Sequence, residues 1–338
     1  MGITLLTGAN GFLATHILHQ LLEAQRHVLA VVRSEQAEEQ LEELFQKNSL
    51  LRICIVPDYT APDAFRPVFV ALPGIVSVIH TPSFYQDSAV SYATAEKHPA
   101  IKATTGLLKT IASVGKNVRN VVITSSSAAV IDYARPVPGK KYTEEDWNAI
   151  TWKEAQKGGL SSRYKASKKY MECAAYDFME QYRPSFGLVA LCPAAIFGPP
   201  VDEFESPHEL NLSNHFFWKT FCAAGKKGPL AKQIAFTLVD VRDLAKAHIL
   251  AMHATAAPKT KRIIISAHQF TNQQVCNILR SKVPALAEQV PLGNPDDTSL
   301  PEHAYDMGQN RANLLLGLQF RGLEDTIVDT ATAMLGIE

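Results

Sequence analysis

The 338 residues are 46% hydrophobic and 20% charged, which is enough to bury one large core or two unequal ones and carries none of the compositional marks of disorder. Lys+Arg and Asp+Glu both number 33, so the formal net charge is zero with His neutral, and no basic cluster exists to track a phosphate backbone; no nucleic-acid partner is expected. The five cysteines (Cys54, Cys173, Cys192, Cys222, Cys276) are odd in number and form no Cys-x-x-Cys pair, which argues against a disulfide framework or zinc knuckle and for reduced thiols in the cytoplasm.

Gly2 to Thr7 lacks a basic leader region and a small-residue cleavage site, so it does not read as a signal peptide, and no apolar run is long enough to span a bilayer. Ile3 to Thr7 is instead a short β-branched run that meets a glycine-rich turn and then Leu13, Ile17 and Leu21 at helical spacing: strand, tight turn, helix. Further strands are predicted at Val28 to Val32, Ile53 to Val56, Ile75 to His80, Val121 to Thr124 and Gly187 to Leu191, with helix-length segments between most of them. The alternation predicts an α/β fold: a doubly wound parallel sheet of Rossmann type with a smaller C-terminal substrate-binding lobe. After Gly198-Pro199-Pro200 the pattern weakens, and a stretch to about Lys232 with Phe216, Phe217 and Trp218 reads as a cap. Ile234 to Val239, a helix from Val241 to about His253, and Ile263 to Ser266 are expected to return to the sheet. The resulting division is 1–192 plus about 233–268 for a dinucleotide-binding domain, and about 193–232 plus 269–338 for the lobe.

Thr7, Gly8, Asn10, Gly11, Phe12 and Leu13 lie in a Gly-x-x-Gly-x-x-Ala turn between the first strand and the first helix. Backbone can approach a pyrophosphate closely there, and the helix N-terminus offers unpaired N–H groups. The second strand ends Val31-Val32-Arg33-Ser34. A guanidinium at the place where an acid would hold a ribose hydroxyl suits a 2′-phosphate, which favours NADPH over NADH, although Glu35 is also placed to accept from a ribose. Asp58, after the third strand, is a candidate acceptor for an adenine amino group or simply a turn former. Tyr164 and Lys168 are four residues apart in a helical pattern, hence on one face, where an ammonium favours the ionised form of a phenol that gives up its proton. The apolar strand Val121 to Thr124 ends in Ser125-Ser126-Ser127, hydroxyls at the carboxyl end of a parallel strand, where such sheets bind ligands.

Thr7 to Ala14, Thr124-Ser125-Ser126, Tyr164-x-x-x-Lys168, Cys192-Pro193-Ala194-Ala195-Ile196-Phe197-Gly198-Pro199 and Val239-Asp240-Val241-Arg242-Asp243 occur in the order seen in extended short-chain dehydrogenases/reductases. Across essentially its whole length the chain resembles the dihydroflavonol reductase, cinnamoyl-CoA reductase and yeast methylglyoxal/carbonyl reductase group of that superfamily. The resemblance implies NADPH-dependent reduction of a ketone or aldehyde, with Tyr164 as proton donor, Lys168 lowering its pKa and holding the nicotinamide ribose, and Ser126 orienting the carbonyl. It places Thr81, Ser83 and Thr124, together with the loop Pro193, Ala194, Ala195 and Ile196, beside the cofactor, and Phe84, Tyr85, Ile131 and Ser161 beside the substrate. Pro82, Lys102 and Cys192 depart from the group's pattern. Trp147 and Trp152 are expected to cover the N-terminal approach of the Tyr164 helix. A small carbonyl compound is the expected partner, and the chain a monomer or homodimer. No metal is expected, because His248, His253 and His268 have no ligand-like spacing. An epimerase, dehydratase or hydroxysteroid dehydrogenase on the same fold, and a non-catalytic NADP-binding sensor, are the competing readings; Arg33 argues against the former and the intact Ser126, Tyr164 and Lys168 against the latter.

Overall fold

The computed structural model describes residues 2–84, 93–202, 204, 206–254 and 260–337. In chain order its strands are β1 (Ile3–Thr7), β2 (His27–Val32), β3 (Leu51–Ile55), β4 (Ile75–His80), β5 (Asn120–Thr124), β6 (Lys141–Tyr142), β7 (Gly187–Pro193), β8 (Ala195–Phe197), β9 (Thr237–Asp240), β10 (Thr260–Ile265), β11 (His268–Gln269) and β12 (Asp306–Met307). Seven of them form one sheet in the order β10-β7-β5-β4-β1-β2-β3. β1 pairs in parallel with β2 and β4, β2 with β3, β4 with β5, and β5 with β7. The expected doubly wound α/β sheet is therefore the one the chain forms. β5 and β7 are buried at every position and β2 at all but His27, because helices cover both faces and leave no polar side for the strands to show. The edge strand β3 is only partly buried.

From β1 the chain builds outward to β2 and β3, then crosses back to place β4 on the other side of β1. That reversal opens a crevice at the carboxyl ends of β1 and β4, where Thr7-Gly8 and His80-Thr81 stand. The core below it joins Leu5, Val31, Val78, Val121 and Leu188 of the sheet to Ile101 and Leu107 of the Pro99–Val114 helix and to Met171, Ala175 and Phe178 of the Leu160–Tyr182 helix.

Two compact units divide the chain. The first comprises Met1–Asp132, Glu144–Cys192 and Ala245–Ile263; the second comprises Tyr133–Thr143, Pro193–Leu244 and Ile264–Glu338. Within the second, β8 and β9 pair in parallel and β11 joins β9 antiparallel. The segment expected to rejoin the main sheet around Ile234 to Val239 is thus the centre of a small separate sheet. The chain runs from β7 across Pro193 and Ala194 into β8, and β8 supplies β9 with a partner outside the main sheet. Phe197, Phe217, Phe221, Phe270, Leu279 and Ile327 fill this unit's core. Phe217 is fully buried, a packing residue inside the stretch read as a cap.

Candidate active site

The turn after β1 is shaped for close backbone approach. Gly8 has φ +69°, in the left-handed region, and a Cβ there would stand 3.2 to 3.3 Å from Cγ, Cα and N of Pro82. Its amide donates to the Val31 carbonyl at 3.0 Å and to the Tyr59 hydroxyl at 3.2 Å, while that hydroxyl donates to the same carbonyl at 2.9 Å. The Phe12–Glu23 helix starts at Gly11 with no side-chain cap and no acid in its first turn, so its N-terminal dipole is open to an anion. Asn10 and Gly11 are exposed, Phe12 is half-buried and Leu13 is buried. A dinucleotide pyrophosphate fits this arrangement.

Arg33 is exposed immediately beyond β2. Ser34 caps the Glu35–Leu44 helix by accepting from the Ala37 amide, so Glu35 sits in that helix's first turn, where the dipole favours it. Asp58 is exposed and accepts from the Thr60 amide at 2.8 Å and hydroxyl at 2.7 Å, bonds that hold its carboxyl below the ordinary value. Lys102 is exposed too, and its charge acts on Asp58 in the same direction.

β5 presents the hydroxyls, and the Leu160–Tyr182 helix presents a phenol and an ammonium. Ser126 is half-buried just past β5, and its Oγ accepts from the Ala128 amide at 3.1 Å; Ser125 and Ser127 on either side are buried. Tyr164 is half-buried in the second turn of the helix, with Lys168 buried one turn on. Lys168 Nζ donates to the Thr124 carbonyl at 3.1 Å, which ties the helix to the end of β5. Burial pushes Lys168 down to about 8, against the pull of the Glu172 charge. The buried Thr7 and Thr124 hydroxyls are engaged by His80 Nδ1 at 2.7 Å and His248 Nε2 at 2.8 Å. Burial, followed by the Lys168 charge, drives His80 down to about 3, so it is a neutral imidazole.

The sequence model of the NAD dependent epimerase/dehydratase family matches residues 4–266. The chain belongs to that family. Among its relatives it is 34% identical to ketoreductase azaE of Aspergillus niger over 98% of this chain and 97% of that one. It is 33% identical to the NADPH-dependent methylglyoxal reductase GRE2 of Saccharomyces cerevisiae over 98% of each. The crystal structure of yeast methylglyoxal/isovaleraldehyde reductase Gre2 complexed with NADPH superposes with a TM-score of 0.88, at 32% identity and 98% coverage of both chains. Vestitone reductase of alfalfa, at 23% identity and TM-score 0.76, shares the fold.

Of the motifs that carry the resemblance, the glycine turn, Thr124 to Ser126, Tyr164 and Lys168 lie in the first unit, whereas nearly all of Cys192 to Pro199 and all of Val239 to Asp243 lie in the second. The remaining expected residues are placed as follows. Thr81 is half-buried with its hydroxyl on the Thr7 carbonyl at 2.8 Å, and Ser83 is exposed. Pro193 ends β7, the Ala194 amide donates to the Ile265 carbonyl at 2.9 Å, and Ala195 and Ile196 are half-buried in β8. Phe84 is buried in the core, Ile131 is fully buried with its carbonyl held by Asn148 at 2.9 Å, and Ser161 is exposed. Tyr85 lies outside the described residues. Trp147 does not cover the start of the Tyr164 helix: it packs edge-on to Tyr176 and lies over the Arg262 guanidinium, which draws it toward the helix's middle. Trp152 packs against the cluster of Ile150, Ala155 and Ala166, edge-on to Tyr170 and His98. Sequence reasoning missed Tyr59, Glu172 and Arg262. For Glu172 a signal exists: it is a charge on the helical stripe Lys168, Met171, Ala175, Phe178 that is otherwise core.

Proposed function

We propose that this chain reduces a ketone or aldehyde to an alcohol with NADPH, and that Tyr164 donates the proton to the carbonyl oxygen. The observation that carries the reading is Lys168: a buried ammonium one helical turn from Tyr164, anchored on the strand end that bears Ser126. NADPH, when bound, supplies the hydride. The turn at Gly8 and the N-terminus of the Phe12–Glu23 helix would hold its pyrophosphate, Arg33 its 2′-phosphate, and Lys168 its nicotinamide ribose. Ser126 holds the substrate oxygen by a hydrogen bond that strengthens as charge develops. Tyr164 gives up its proton there, and the Lys168 ammonium offsets the phenolate left behind. On this reading the first unit is the dinucleotide-binding body and the second carries the substrate-binding lobe. The five cysteines are free, in keeping with a reducing, cytoplasmic setting. Among the described residues, no helix is long and apolar enough to cross a membrane.

The test is loss of reduced-cofactor absorbance against aliphatic aldehydes, diketones, aryl ketones and flavanonols, with NADPH and NADH in parallel. Turnover on at least one carbonyl with NADPH is expected. Tyr164→Phe is expected to cut kcat at least about a hundredfold while NADPH still binds; near-normal turnover in that variant removes Tyr164 from the role.

A further inference from the structure

One residue before Ser126, the strand end enters a buried polar cluster that the chemistry above does not use. Glu172 is fully buried and accepts from Ser125 Oγ at 2.6 Å, Tyr176 Oη at 2.9 Å and Arg262 Nε at 2.6 Å, with Cys192 Sγ at 3.6 Å. Arg262 is buried as well, with its guanidinium 3.8 Å from the centre of the Trp147 ring. It donates to the carbonyls of Ala129 at 3.3 Å and Glu144 at 3.1 Å, and to that of Asp146. One ion pair therefore ties together the Leu160–Tyr182 helix, the turn after β5, strand β10 and the segment 144–147.

A buried ion pair adds little stability over well-packed apolar residues of the same volume, but it fixes direction and spacing tightly. Here the spacing concerns the reacting groups. Tyr164, Lys168 and Glu172 follow at four-residue steps along one face of a single helix. The last of them grips the neighbour of Ser126. We propose that Glu172, held by Arg262, is a positioning residue for carbonyl reduction: it sets the place of Ser126 through Ser125 and steadies the Lys168 ammonium beside Tyr164. The inference rests on the assignment of Ser126, Tyr164 and Lys168 made above.

Among the described residues, the titratable groups around Lys168 are Tyr164 and Glu172 one turn away on its own helix, Cys192 on β7 and His80 on β4. Burial and then the Glu172 charge push the Cys192 thiol up, and burial drives His80 down to about 3, so both are neutral at pH 7. Glu172 is then the standing charge that opposes the burial of Lys168. Its removal lets Lys168 lose its proton at lower pH.

The test compares Glu172→Gln, which keeps the shape, with Glu172→Asp, which keeps the charge, in the full chain with NADPH and the panel carbonyl turned over fastest. For Glu172→Gln we expect kcat at pH 7 to fall about tenfold, the alkaline limb of the kcat profile to move down by about half a pH unit or more, and the NADPH dissociation constant to stay within about threefold. In Glu172→Asp the limb is expected to stay in place. A folded Glu172→Gln variant with unmodified kcat and an unmoved limb overturns the proposal. Where circular dichroism shows that Glu172→Gln does not fold, Ser125→Ala decides, since it breaks the 2.6 Å bond without stranding a charge. Its kcat is expected to fall about fivefold, and an unchanged kcat overturns the proposal equally. Tyr164→Phe separates the two levels: if it is fully active the catalytic assignment itself fails, and if it is inactive while the Glu172 and Ser125 variants behave as the unmodified protein, only the positioning role fails.

Discussion

The tension at this site is clearest at Lys168, an ammonium 4% exposed that donates to the Thr124 carbonyl. Its value of about 8 lies below the ordinary 10.5, so between those two values the unfolded chain holds the extra proton. The contribution of Lys168 to stability therefore rises with pH from about 8 to 10.5, and the penalty for burying the charge is fully present below 8. A shift of that size corresponds to about 3 kcal/mol, partly balanced by the hydrogen bond to Thr124, which is worth about 1 kcal/mol. Lys168→Met is accordingly expected to stabilise the cofactor-free protein by about 1–3 kcal/mol at pH 7 while abolishing reduction, a trade of stability for chemistry. Urea unfolding at pH 7 and pH 10 measures it: the gain should shrink at pH 10, and a variant no more stable than the unmodified protein at pH 7 contradicts the argument.

Among the elements, the turn after β1 joins strand geometry most directly to cofactor chemistry. Gly8 is both left-handed and pressed against Pro82, so Gly8→Ala adds backbone strain and a contact of 3.2 Å with a rigid ring that has no rotamer to yield. A cost of about 1–3 kcal/mol is expected, together with at least about a tenfold loss of NADPH affinity in a fluorescence titration. Unchanged affinity would mean that this turn does not face the pyrophosphate. The same turn shows what a linear reading reaches. Buried parallel strands are continuous apolar runs, so β1 and β4 were legible to the residue and β2, β3, β5 and β7 to within one or two at either end. That Tyr164 and Lys168 share a helix face was legible because four-residue spacing is a local property of helices, while their expected roles came from the resemblance. Tyr59 was not, since its hydroxyl meets Gly8 and Val31 only after three strands have been laid side by side. Arg262 was hidden for the same reason: it lies 90 residues from Glu172 along the chain. β9 was misplaced because an apolar run reveals that it is a strand but not which sheet it joins.

For the whole molecule, the residues proposed to hold the NADPH pyrophosphate, 2′-phosphate and nicotinamide ribose extend from Thr7 to Lys168 along the chain, and all of them belong to the folded first unit. The unfolded chain offers no comparable site, so binding must stabilise the native state: about 2.7 kcal/mol at a hundredfold excess over the dissociation constant. The molecule has no net charge to draw an anionic cofactor, which leaves discrimination between NADPH and NADH to local groups. Arg33, exposed at the end of β2, is the group proposed for it. At equal concentrations NADPH is expected to raise the thermal midpoint more than NADH, and the difference should narrow as salt screens this exposed contact. Arg33→Asp should reverse the order, because a carboxylate repels the 2′-phosphate and accepts from the ribose hydroxyl of NADH instead. Equal shifts for the two cofactors in the unmodified protein, or an Arg33→Asp variant that still favours NADPH, would take the discrimination away from Arg33 and locate it elsewhere along the crevice.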